Sequence, residues 1–121
     1  MPEGRLYRSM LLDFYSPLLT DRQRECYDLH YNEDLSLSEI AEQCGISRQG
    51  AWDNIRRAGE AMEDFEAKSG LIRRFLETET GLRRLLELLQ TLRARVSDDA
   101  ESSALVDTAL AEIRNLLNTA E

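Results

Sequence analysis

The stretch LSLSEIAEQCGISRQGAWDNIRRA, residues 35–58, decides the fold. Ser36 followed three residues later by Glu39 is a capping box, in which each side chain satisfies a backbone N–H that the first helical turn leaves unpaired. The short segment SLSEIAEQC is therefore a helix. Gly45 follows it, where a left-handed backbone suits a residue without Cβ. Ser47 then caps a second helix. Ile40, Ile46, Ala51 and Ile55 supply a small apolar core between the two helices, and Ala41 is small where they cross. Caps, turn and core together are the grammar of a helix-turn-helix, whose second helix offers its N-terminal residues to a DNA major groove.

The outer side of that second helix carries Ser47, Arg48, Gln49, Asp53, Asn54, Arg56 and Arg57. Arg pairs bidentately with guanine, and Asn or Gln with adenine. Arg56 and Arg57 lie further along, where contacts to backbone phosphate are expected. Ser47, at the helix start, offers a hydroxyl and an N–H to phosphate. Arg5, Arg8, Arg22 and Arg24 extend a basic rim. The plain alternative for all of these is a solvated helix face. Trp52 lies one residue off the apolar stripe and is expected to wedge between helices rather than stand at an interface.

Working outward, Leu6, Met10, Leu11 and Phe14 mark the apolar stripe of a first helix over residues 5–15, which Pro17 ends. Thr20 and Gln23 form another capping box, opening a helix to about Tyr31 with Cys26, Tyr27, Leu29 and Tyr31 as its inner side. In the helix after Ser47, Ala51, Ile55, Ala58, Met62 and Phe65 continue one apolar face to Gly70. Beyond Gly70, Leu82, Leu85, Leu89, Leu92 and Val96 repeat at coiled-coil spacing for two heptads, with Gly81 a weak point or a break. Ser97-Asp98-Asp99 reads as the cap of a last helix carrying Leu105, Val106, Ala109, Leu110, Ile113, Leu116 and Leu117. The expectation is an all-α protein. A helix-turn-helix domain over 1–70 precedes a leucine-rich helical hairpin over 71–121, which packs or dimerises.

The whole chain has 121 residues, 15 of them basic and 23 acidic, for a formal charge of −8. Such a chain is a poor indiscriminate binder of phosphate. Residues 1–70 hold 8 basic and 14 acidic side chains, yet Ile46 to Gly59 hold three Arg against one Asp. The expected reading helix is thus a small basic island in an acidic domain. No apolar run approaches the roughly 20 residues that span a bilayer, and the N-terminus does not read as a signal peptide; the expected location is the cytoplasm, with no membrane partner. Cys26, Cys44 and the single His30 lack the tight four-ligand spacing of zinc sites, so no metal is expected. No glycine-rich phosphate loop or nucleophile motif suggests an enzyme or a cofactor.

The stretches LLTDRQR, DLSLSEIAE and ISRQGAWDNIRR resemble the YlxM family of bacterial helix-turn-helix proteins, most densely from Leu11 to Leu71. The same portion is similar to region four of bacterial sigma factors. That resemblance implies a winged-helix-like bundle without a wing, with Ser47, Arg48, Gln49, Asp53, Asn54 and Arg56 at the groove. The YlxM resemblance implies a regulator tied to the signal recognition particle pathway. The alternative is an interaction module that binds the particle's protein, its RNA or its receptor and reads no DNA. DNA readers of this type are commonly dimers, and a homodimer through the C-terminal helices is expected.

Overall fold

The structure, a computed structural model, describes residues 4–120, with side chains to position 118. Its described residues form α1 (Arg5–Tyr15), a single 3-10 turn (Ser16–Leu18), α2 (Asp21–Tyr31), α3 (Leu37–Cys44), α4 (Arg48–Ser69), α5 (Leu71–Arg95) and α6 (Ala100–Ala120), with no strand among them. The protein is all-α. None of these helices is long and apolar enough to cross a membrane. The chain divides into two compact units between Arg73 and Arg74, one turn into α5.

In the first unit the punctuation is local. Thr20 and Gln23 close a capping box on α2, with Thr20 Oγ1 accepting from the Gln23 N–H at 3.2 Å. Ser36 and Glu39 do the same for α3. Ser47 Oγ accepts from the Gly50 N–H at 2.9 Å and starts α4. Gly45 and Gly70 end α3 and α4 at φ of 68° and 65°, a left-handed backbone that strains any residue with a Cβ. Pro17 stops α1 in the 3-10 turn.

Helix α4 is the central element and packs against α1, α2 and α3. Its stripe Ala51, Ile55, Ala58 and Met62 is fully buried, as the spacing predicts, while Phe65 is half-buried. Ile40 and Ala41 are buried beneath it, and Ile46 is half-buried. Helix α1 turns a different face inward than its apolar stripe suggests. Of the expected stripe Leu11 is buried, Met10 and Phe14 are half-buried and Leu6 is 71% exposed, while Tyr7, Leu12 and Tyr15 are buried beside Leu11. The reason is polar. The Tyr7 hydroxyl donates to Glu63 Oε2 at 3.2 Å and the Tyr15 hydroxyl to Glu66 Oε1 at 2.6 Å, so both tyrosines bury their rings with their oxygens satisfied on α4. On α2, Cys26 and Tyr27 are buried and Leu29 and Tyr31 only half-buried.

Cys26 lies beside Cys44, whose thiol donates to Glu25 Oε1 at 3.1 Å. Burial, with the neighbouring Cys44 second, pushes the Cys26 thiol up to about 11. Only the thiolate reacts. Alkylation of Cys26 by iodoacetamide at neutral pH is therefore expected to run roughly a hundredfold slower in the folded chain than in urea, since two pKa units cut the thiolate fraction by that factor. Mass spectrometry of timed samples checks this; equal rates would exclude the protonated, buried thiol.

In the second unit α5 runs unbroken through Gly81. Asp99 is the working cap of α6: its carboxylate accepts from the Glu101 N–H at 3.2 Å and the Ser102 hydroxyl at 2.6 Å. Arg93 joins the two helices of the hairpin, its Nε donating to Asp107 Oδ1 at 2.7 Å. Val106, Leu110, Ile113 and Leu117 are buried along α6. On the heptad stripe of α5, by contrast, Leu85 and Leu92 are exposed, as is Leu88 beside them.

Candidate nucleic-acid interface

The α3–turn–α4 unit presents the start of α4 outward. Ser47, Arg48 and Gln49 are all exposed. The Ser47 hydroxyl is engaged in capping, so its own backbone and the first free N–H groups of α4 form the anion-facing end of the helix. Arg48 has no ion-pair or hydrogen-bond partner among the described residues, so its guanidinium is available to an incoming acceptor.

The middle of the face is arranged differently. Asp53 Oδ1 accepts from Arg56 at 2.7 Å, and its Oδ2 forms an ion pair with Arg57 Nε at 3.0 Å. Arg56 also donates to Glu60 Oε1 at 3.0 Å. These bonds to Asp53 and then Glu60 raise the Arg56 pKa further, so it stays cationic. Asp53 thus holds both arginines along the helix, at the i,i+3 and i,i+4 spacings where such pairs meet. Exposed pairs of this kind are worth only ~0–1 kcal/mol each, so phosphate can displace the carboxylate at small cost. Asn54 is half-buried and donates to the Gly50 carbonyl at 2.9 Å. In this conformation it supports the helix rather than facing outward as a free reader.

The predicted basic rim is largely neutralised. Arg5 pairs with Asp34, Arg22 with Glu25 and Arg24 with Asp21. Arg8 lies over the Tyr31 ring, 4.5 Å from its centroid. Trp52 does not wedge between helices. It is 45% exposed and lines a cleft of about 600 Å³ bounded by α1, α2 and α4. His30 Nδ1 meets the Leu35 carbonyl at 3.0 Å at the end of α2. Among the described residues no three His, Cys, Asp or Glu side chains converge as metal ligands.

Sequence reading missed Glu63 at the cleft and Glu66 at the α4–α5 junction, and it put Arg8 on the basic rim and Tyr31 on the inner side of α2 rather than together at the cleft. Glu66 had a signal. It stands four residues after Met62, on the apolar stripe, where a carboxylate needs buried partners.

Capped α3, a left-handed glycine turn and an exposed α4 N-terminus define a helix-turn-helix protein. The family model described as "Putative helix-turn-helix protein, YlxM / p13 like" matches residues 2–109. The chain belongs to this family, UPF0122. It is 38% identical over 116 residues to the UPF0122 protein of Thermoanaerobacter sp. strain X514, covering 96% of this chain and 98% of that one. The UPF0122 protein of Geobacillus kaustophilus is 42% identical over 106 residues, 88% of this chain and 94% of its own. That of Staphylococcus haemolyticus is 51% identical over 70 residues, 58% of this chain and 64% of its own. The family description is of a helix-turn-helix protein and names no catalytic activity.

Proposed function

We propose that this protein is a nucleic-acid-binding regulator that places the N-terminal end of α4 in a DNA major groove. The observation that carries the reading is the exposed Ser47-Arg48-Gln49 end of a capped helix, with Arg48 held by no carboxylate among the described residues. Asp53, Asn54, Arg56 and Arg57 form the adjoining part of the surface. There Arg56 and Arg57 turn to phosphate when Asp53 releases them, and Asp53 opposes the approach of the backbone. The exposed Leu85, Leu88 and Leu92 of α5 support a homodimer that sets the spacing of two half-sites. On this reading the regulator acts in the cytoplasm and in the signal recognition particle pathway, and the resemblance to YlxM proteins is what supports it.

Binding to a randomised duplex pool at low salt tests the reading. Arg48→Ala is expected to weaken binding by about 1–3 kcal/mol, or roughly 5- to 150-fold. Asp53→Asn is expected to tighten it and to steepen the salt dependence by about one phosphate contact. Wild-type binding that Arg48→Ala leaves unchanged, or no enrichment from the pool, overturns the reading.

One observation favours a second reading. The net charge of −8 and the neutralised arginines leave an acidic envelope, which complements a basic protein. In that case the chain is a module for the particle's RNA-binding protein, its RNA or its receptor and reads no DNA. Co-purification with those components, by a chain that fails on the duplex pool, is its expected signature.

A further inference from the structure

The cleft beside Trp52 joins three features that the duplex-reading surface does not explain. The first is a flat aromatic wall. Trp52, the only tryptophan in the chain, is 45% exposed, and Tyr31 lines the same cleft. The second is a cation that no carboxylate meets among the described residues. Arg8 is fixed over the Tyr31 ring at 4.5 Å, and its buried Nε–H has no acceptor among them. Buried donors are nearly always satisfied, so an orphan calls for an explanation. The third is a carboxylate on the cleft wall. Glu63 takes the Tyr7 hydroxyl on Oε2 at 3.2 Å, and its Oε1 accepts nothing among the described residues.

Few ligands use all three. A simple anion satisfies Arg8 and is repelled by Glu63. An apolar ligand satisfies the rings and leaves both charges stranded. A nucleotide has a flat base for stacking, N–H donors on the base edge and a phosphate for the guanidinium. Guanine offers the carboxylate two adjacent donors, N1–H and the 2-amino group. Adenine offers one donor next to an acceptor that a carboxylate repels. The volume of about 600 Å³ lies within the range of small-ligand sites.

We propose that this cleft binds a guanine nucleotide, the base against Trp52 and Glu63 and the phosphate at Arg8. The site stands independently of duplex reading by Arg48. The source is either a free nucleotide or an unstacked guanine in a single strand, since both present the same base and phosphate.

Titration of the full chain with GMP, with AMP, and with oligouridine carrying one guanine or none, followed by Trp52 emission, tests the site and separates the sources. Saturable quenching by GMP, weaker by about tenfold with AMP, identifies a free-nucleotide site. Quenching only by the guanine-bearing strand identifies a strand site. Arg8→Gln is expected to weaken either by more than about tenfold, as loss of a charge-assisted contact should. Glu63→Gln is expected to erase the preference for guanine over adenine. Because Arg8 is half-buried, Trp52→Ala, at an exposed ring, serves as the second variant, read by calorimetry; it should abolish binding without lowering the melting temperature. Arg48→Ala should leave the titration unchanged, so failure of the duplex reading and failure of this site are told apart. No quenching by any ligand, or equal binding of GMP and AMP with Arg8→Gln unaffected, overturns the proposal.

Discussion

Replacing Glu66 with alanine is expected to destabilise the first unit by about 3 kcal/mol, the upper range for breaking a buried charged network. Glu66 is only 5% exposed. Its Oε1 accepts the Tyr15 hydroxyl at 2.6 Å and the Ile72 N–H at 2.9 Å, and its Oε2 the Arg73 N–H at 3.2 Å. One carboxylate thereby satisfies two of the unpaired N–H groups that open α5 and anchors α1 through Tyr15. Alanine would remove the acceptor of the Ile72 and Arg73 N–H groups and leave the Tyr15 hydroxyl only Ser69 Oγ, at 2.5 Å.

The charge of Glu66 makes this stability depend on pH. Burial alone would raise its pKa, but the bonds from Tyr15, Ile72 and Arg73, with the Arg73 charge, outweigh burial and hold it below the ordinary value of 4.5. A folded-state pKa below the unfolded one means that ionised Glu66 stabilises the fold above the ordinary carboxylate range. That contribution is lost as pH falls below 4.5 toward the folded value. Glu66→Gln keeps the shape but sets an amide NH₂ against N–H donors. It is expected to lose about half as much stability at neutral pH and to flatten the acid limb. Urea unfolding followed by circular dichroism, at neutral pH and below pH 4, checks both statements. Wild-type stability and pH profile in Glu66→Gln would remove the carboxylate from this role.

What the sequence revealed and what it hid divide along the range of the interactions. The caps at Thr20, Ser36 and Ser47 and the turn at Gly45 depend on partners within three or four residues, so the residue types alone place them. The inward face of α1 depends on Tyr7 and Tyr15 reaching Glu63 and Glu66, 56 and 51 residues away. Local hydrophobicity favours Leu6, Met10 and Phe14, and cannot see a hydroxyl whose acceptor lies on another helix. Trp52 misleads for a related reason. A large ring near an apolar stripe reads as core, although the core there closes with Ala51, Ile55 and Ala58 and has no room for it. The Asp53–Arg56–Arg57 cluster was different. Its three- and four-residue spacings are local and were legible, but charge counting over the segment treated the arginines as free. The cleft joins α1, α2 and α4 and carries no contiguous motif, so only the folded chain brings Arg8, Tyr31, Trp52 and Glu63 together.

Ile40→Ala is expected to cost about 3 kcal/mol, within the range for deleting a buried isoleucine side chain beyond Cβ. Ile40 is fully buried on α3. Helix α3 is only 8 residues long, too short to persist without tertiary packing. With Ile40 and Ala41 its only buried residues, α3 is held against α2 and α4 chiefly by this one side chain. The melting temperature should therefore fall by roughly 15 °C for a unit of this size. Ile40→Val, which removes a single methyl, should cost only about 1 kcal/mol. The two losses also differ in place. Amide exchange in α3 should accelerate at least as much as global unfolding does in Ile40→Ala, because α3 opens once its anchor is gone. If the variant folds, duplex binding should weaken although no surface residue has changed, since α3 fixes the angle at which α4 is presented. A stable Ile40→Ala chain with unchanged α3 exchange would show that the turn at Gly45 and the Ser36 cap hold the helix-turn-helix without this contact.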